Sequence, residues 1–167
     1  LGFGAGGTGA VTIVVRGSST LATSIPAGPT VWVQGSSSTG AATLTSASGF
    51  TNAGTIKMES TGAAYTVTLN VTSGTLTNTG TINVNVGSGG ARYIGANLDN
   101  QGTLNVNEDL TLNKSSSTFI NTGTVTVPSS PSVRTLTVAT GTMTFKNLSP
   151  GTITGGGLVK NHGDFYG

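Results

Sequence analysis

The chain has 167 residues, of which 27 are Gly, 31 Thr, 18 Ser and 13 Asn, and only seven are Lys or Arg and five Asp or Glu. Over half the chain is thus small residues ill-suited to helix interiors, and no stretch repeats apolar residues at helical spacing, which excludes a helical fold. A hydrophobic fraction of 35%, a mean hydropathy of +0.12 and a net charge of +2 exclude simple disorder, which leaves an all-β protein.

Residues 1–49 come first in the chain and differ from the rest. Leu1–Gly7 is Gly-rich but lacks the preceding strand, following helix and Lys of a phosphate loop, and reads as a flexible leader. Val11–Val15, Leu21–Ile25 and Val31-Trp32-Val33 read as strands, with Pro26 and Pro29 between the last two. The segment predicts an irregular N-terminal cap on a repeat region. It also predicts a donor strand, in which Val11, Ile13 and Val15 would insert into a neighbouring copy.

Residues 50–167 carry an internal repeat: apolar, any, Asn, any, Gly, small or polar, apolar. It runs Phe50-Thr51-Asn52-Ala53-Gly54-Thr55-Ile56, then Leu76-Thr77-Asn78-Thr79-Gly80-Thr81-Ile82. Leu98-Asp99-Asn100-Gln101-Gly102-Thr103-Leu104 and Phe119-Ile120-Asn121-Thr122-Gly123-Thr124-Val125 follow. A fifth copy, built on Phe145, Asn147, Gly151 and Ile153, has two extra residues, and a sixth, around Asn161 and Gly163, follows after about half a coil. Second strands, Tyr65–Val71, Leu110–Leu112 and Leu136–Val138, lie between copies, separated by joints such as Gly87–Gly90, Ser115–Ser117 and Val127–Pro131.

Parity decides the architecture. Phe50, Asn52, Gly54, Ile56 and Met58 lie two apart and share one strand face, while Thr51, Ala53, Thr55 and Lys57 share the other. In stacked coils Asn52, Asn78, Asn100, Asn121, Asn147 and Asn161 would form a column about 4.8 Å apart, bonding one another and so removing the cost of burying an amide. Gly54, Gly80, Gly102 and Gly123 would turn the corner, Asn and Gly both tolerating left-handed angles. The expected fold is a β-solenoid, or parallel β-helix. An ordinary Asn-Gly hairpin turn within a β-sandwich or jelly-roll fibre subunit fits the same short strands.

These N-x-G-T-[ILV] repeats with Thr-rich alternation resemble the β-solenoid repeats of bacterial surface proteins, the filamentous-haemagglutinin and autotransporter-passenger type of adhesin. The resemblance covers about residues 50–165 and implies a secreted, adhesive or structural role with no catalytic residues to carry over. The chain is far shorter than a usual passenger and opens on Leu1, as expected of a processed chain or a segment.

Chemistry-bearing residues are sparse. With no Cys, one His (His162) and the carboxylates Glu59, Asp99, Glu108, Asp109 and Asp164 dispersed, neither a transition-metal site nor a carboxylate pair for glycoside hydrolysis is expected, and no cofactor. Asn107, Glu108 and Asp109 lack the spacing of a calcium loop. Arg16, Lys57, Arg92, Lys114, Arg134, Lys146 and Lys160 are scattered, so a nucleic-acid groove is not expected. Val11–Val15, the longest apolar run, falls far short of the roughly 18 residues of a membrane helix. Trp32, Tyr65 and Tyr93 occupy unaligned positions and are expected to pack in the core or cap.

Ordinary soluble proteins carry about 25% charged residues. A chain with 7% fits an extracellular or cell-surface place, where neighbours or glycans cover it. Asn70, Asn113 and Asn147 open N-glycosylation triplets. The expected role is a non-enzymatic subunit of a self-assembling surface filament, a homopolymer held by strand pairing between copies. The alternatives are a piece of a large adhesin, touching host or surface glycans, and a surface recognising ice or polysaccharide through the Thr column Thr55, Thr81, Thr103, Thr124 and Thr152. The columns beside it are mixed, which weighs against the last.

Overall fold

The computed structural model describes residues 1–4, 9–138 and 143–167, and every regular element among them is a β-strand. Each coil runs along three faces and returns one layer further along, with the second and third faces continuous in the longest strands. The first stacks β1 (Thr12–Val15), β3 (Thr30–Ser36), β6 (Thr55–Thr61), β8 (Thr81–Val84), β10 (Thr103–Val106), β13 (Thr124–Thr126) and β16 (Thr152–Thr154). On the second lie β2 (Ser18–Leu21), β4 (Ala42–Ser46), the starts of β7 (Val67–Asn78) and β9 (Arg92–Asn100), then β11 (Leu110–Leu112), β14 (Thr135–Val138) and β17 (Leu158–Asn161). The third holds β5 (Phe50–Asn52), the ends of β7 and β9, β12 (Thr118–Asn121), β15 (Thr144–Asn147) and β18 (Asp164–Tyr166). Pairing along all three faces is parallel, making a β-solenoid of about six turns. The sandwich alternative needs antiparallel strands and is set aside.

Alternation fills the interior. On the first face Ile13, Val31, Ile56, Ile82, Leu104, Val125 and Ile153 form one inward column, in unbroken register. Phe50, Leu76, Leu98, Phe119, Phe145 and Phe165 form another on the third face. The Phe119 and Phe145 rings stack with centroids 4.6 Å apart, and Phe165 meets Phe145 edge-on at 5.2 Å. Burying such side chains stabilises by about 1.5–3 kcal/mol each, so every coil depends on the next.

The corner glycines have a different cause from the one the sequence suggests. Gly54, Gly80, Gly102 and Gly123 are not in the left-handed region. A Cβ on Gly80, Gly102 or Gly123 would instead collide with the carbonyl oxygen of the previous corner's glycine. Close stacking of backbone on backbone is what demands Gly here.

The N-terminal third also departs from expectation. Thr12–Val15 pairs with Thr30–Val33, which continues onto Thr55–Met58, so residues 12–52 coil as the later repeats do. Their distinctness is one of motif: Ile25 bridges Asn52 and stands where later coils have Asn. The expected strand Leu21–Ile25 lies instead at Ser18–Leu21. The leader is not free at its start. Leu1 and Phe3 pack against the core, Ala22 N–H donates to Leu1 O (2.8 Å), and Phe3 N–H donates to Thr23 Oγ1 (2.8 Å). Ala5, Gly6 and Gly7 of the leader lie outside the described residues.

Candidate functional site

A polar ladder runs inside the third face. Asn52 Nδ2 donates to Asn78 Oδ1, Asn78 to Asn100, Asn100 to Asn121, and Asn121 to Asn147, all at 2.7 Å. The second proton of each amide goes to the carbonyl of Thr81, Thr103, Thr124 or Thr152 one coil on, at 3.0–3.2 Å. Asn52, Asn78, Asn100 and Asn121 are fully buried, and the ladder begins with an unpartnered Asn52 Oδ1, because Ile25 precedes it. Asn161 is not a member. It pairs with Val138 on the second face, at the foot of the aliphatic column Leu44, Leu69, Ile94, Leu112 and Val138. The half-coil spacing of the sixth repeat shifted it there.

Arg92 is the cation that charge counting misplaces. It lies in an inward column with Ala42, Val67, Leu110 and Leu136 and is 1% exposed. Its guanidinium turns out of the core into the loop of residues 85–91. Nη1 donates to Gly90 O at 2.8 Å and Tyr65 O at 3.2 Å, and Nη2 to Val86 O, Asn85 O and Gly89 O at 3.0–3.1 Å and to Ser60 Oγ at 3.2 Å. Gly87, Gly89 and Gly90 have φ of +52°, +82° and +95°, and these left-handed turns shape the loop that points its carbonyls inward. Desolvation pushes the guanidinium below its ordinary value, against the pull of Glu108 and Glu59. The parity of Arg92, Ile94, Ala96, Leu98 and Asn100 was the signal available in the sequence.

The two end rungs are where the solenoid is incomplete among the described residues. β16, β17 and β18 pair on one side only, with β13, β14 and β15. Phe145, Ile153, Val159, Asn161 and Phe165 line a cavity of about 440 Å³ there, and Leu158, Phe165 and Tyr166 are about half exposed. Asn161 Nδ2 donates to Gly163 O (2.6 Å) while its Oδ1 is buried without a partner. At the other end, β1 already pairs with β3, and Ile13 and Val15 face their own core. β1 therefore offers a neighbour only its outer edge, with Val11 exposed beside it, and is not a free donor strand.

Four of the five carboxylates have structural partners. Glu59 pairs with Lys57 at 3.1 Å and Glu108 with Arg134 at 3.0 Å; Asp109 accepts from Thr135 N–H and Asp99 from Gln101 Nε2. No group of three His, Cys, Asp or Glu converges among the described residues, and no helix there is long and apolar enough to cross a membrane. The aromatics expected inside are half-buried and outside the core: Trp32 faces out under Lys57, 3.9 Å from its ring centroid. Asn147 sits at the foot of the ladder, accepting from Asn121 Nδ2 and donating its own Nδ2 to Gly151 O at 3.3 Å. The Thr column is longer than expected, running Thr12, Thr30, Thr55, Thr81, Thr103, Thr124 and Thr152. Beside it run Trp32, Lys57, Asn83, Asn105 and Thr126, which is not a uniform lattice.

The class is thus defined by architecture: a parallel β-solenoid with an internal Asn ladder. Comparison with family profiles, curated proteins and solved structures returned no match to this chain.

Proposed function

We propose that this is an extracellular structural protein whose solenoid stacks head to tail with copies of itself into a filament. The observation that carries the proposal is the register of the two ends. Continuing the columns by one rung sets Thr152-Ile153 on Thr12-Ile13 of the next copy, outward Thr on Thr and inward Ile on Ile. On the second face the same register sets Asn161, with its unpartnered Oδ1, opposite Ser19, the top residue of the Leu44 column. Strand edges that remain open invite such pairing, and a heterologous contact that does not close makes a fibre.

Leu1–Phe3 lies along residues 20–23, and stacking requires it to leave that edge where Phe165 of the preceding copy arrives. The charge-poor surface supports a place outside the cell, and the engaged carboxylates support a non-enzymatic role. In the alternative, a segment of a large surface adhesin, the last rung would meet further coils of the same chain.

Ile153→Lys places an unpaired charge in the junction and should abolish sedimenting assemblies. Because Ile153 is only partly buried, the thermal midpoint should move by only a few degrees, about 1 kcal/mol. Assemblies that survive Ile153→Lys unchanged would contradict the proposed contact.

A further inference from the structure

The corner between the second and third faces is uneven. In the coil containing β7, the four residues Val71–Gly74 stand opposite Ala96 alone in the next coil, and in the coil after that Asn113–Thr118 again bulges out. The short corner Gly95–Asn97 between two long ones leaves an open, shallow notch of about 410 Å³ on the flank. Lys114 bridges the two long corners, its ammonium donating to Val71 O at 2.6 Å and Thr72 O at 3.0 Å.

The floor of the notch is Gly95. A Cβ there would lie 2.5 Å from Asn70 Oδ1 and 3.3 Å from Asn113 Oδ1, so two amides from neighbouring coils converge on one bare stretch of backbone. Thr45, Thr72 and Ser115 complete a polar lining. Tyr93 shares the outward face with Gly95, two residues back along the same strand and between Thr68 and Thr111 on adjacent strands.

We infer that this notch, floored by Gly95 between the amides of Asn70 and Asn113, binds a neutral saccharide. Amides both donate and accept, as sugar hydroxyls do, and Tyr93, next along the same outward face, is an aromatic of the kind that stacks on the C–H side of a pyranose. The lining contains no carboxylate, and its single ammonium is already held by carbonyls, which disfavours metal ions and polyanions alike. The inference is independent of filament formation, because the notch lies on the flank and its floor, Gly95, is three coils from both β1 and β16.

Equilibrium dialysis of the intact chain against tritiated methyl glycosides of glucose, galactose, mannose and N-acetylglucosamine tests it, in solution or in fibres alike. Saturable uptake of at least one probe is expected, weakened about tenfold or more by Gly95→Val, which fills the floor, and by Asn113→Ala at the exposed corner. Both variants should keep the parent circular dichroism and melting curve. No uptake of any of the four, or uptake that neither variant changes, would overturn the assignment. So would an intact mass showing hexose increments on Asn70 or Asn113, since the amides would then carry a covalent glycan.

Discussion

Arg92→Met should cost about 3–5 kcal/mol of unfolding free energy, the largest effect expected of any single substitution here. Methionine matches the aliphatic column that Arg92 enters from, so the loss comes from the acceptors left behind. The carbonyls of Asn85, Val86, Gly89 and Gly90 lose a charged donor at 2.8–3.1 Å, and hydrogen bonds to charged groups contribute about 1.5–3 kcal/mol each. Replacing a buried ion pair by apolar residues can be neutral, because both partners leave together. Here the partners are backbone and stay. Water entering the loop offsets part of the loss, which is why the estimate stays below the sum. Arg92→Lys should recover some stability but lose the fork that reaches both walls of the loop. Urea unfolding followed by circular dichroism measures both; a loss for Arg92→Met under about 1 kcal/mol would mean that the loop rearranges without its cation.

Asn100→Leu should cost about 2–4 kcal/mol. The change deletes the donor to Asn121 Oδ1 and Thr124 O and the acceptor for Asn78 Nδ2, stranding buried polar atoms on both sides. The same substitution at Asn147, half-buried at the foot of the ladder, should cost about half as much. An Asn in an exposed hairpin turn would change stability by less than about 0.5 kcal/mol. The difference between the two sites in urea unfolding reads the ladder directly, and equal small effects at both would contradict it.

Much of this architecture was legible because a strand has a period of two. Once Asn, Gly and an aliphatic residue share parity in four successive repeats, the inward column follows, and the structure places Asn52 through Asn147 in it. Parity cannot tell which face of a coil a strand belongs to. Asn161 carried the motif into an aliphatic column for that reason. The first coils were harder to read because their Asn position is filled by Ile25, although alternation and the leading Thr were already present in Thr12-Ile13 and Thr30-Val31. Arg92 was hidden by its type. A guanidinium reads as surface until the glycines that surround it are seen as an acceptor loop rather than a linker. The notch over Gly95 depends on the differing lengths of three consecutive corners, a property that appears only when coils are set in register.

Fibre diffraction from aligned specimens, checked by electron microscopy of the same material, tests the central claim of head-to-tail stacking most directly. Parallel rungs continuing through each junction should give long uniform fibres with a reflection near about 4.8 Å on the meridian, along the fibre axis. Monodisperse single particles, or fibres with that spacing across the axis, would contradict the account.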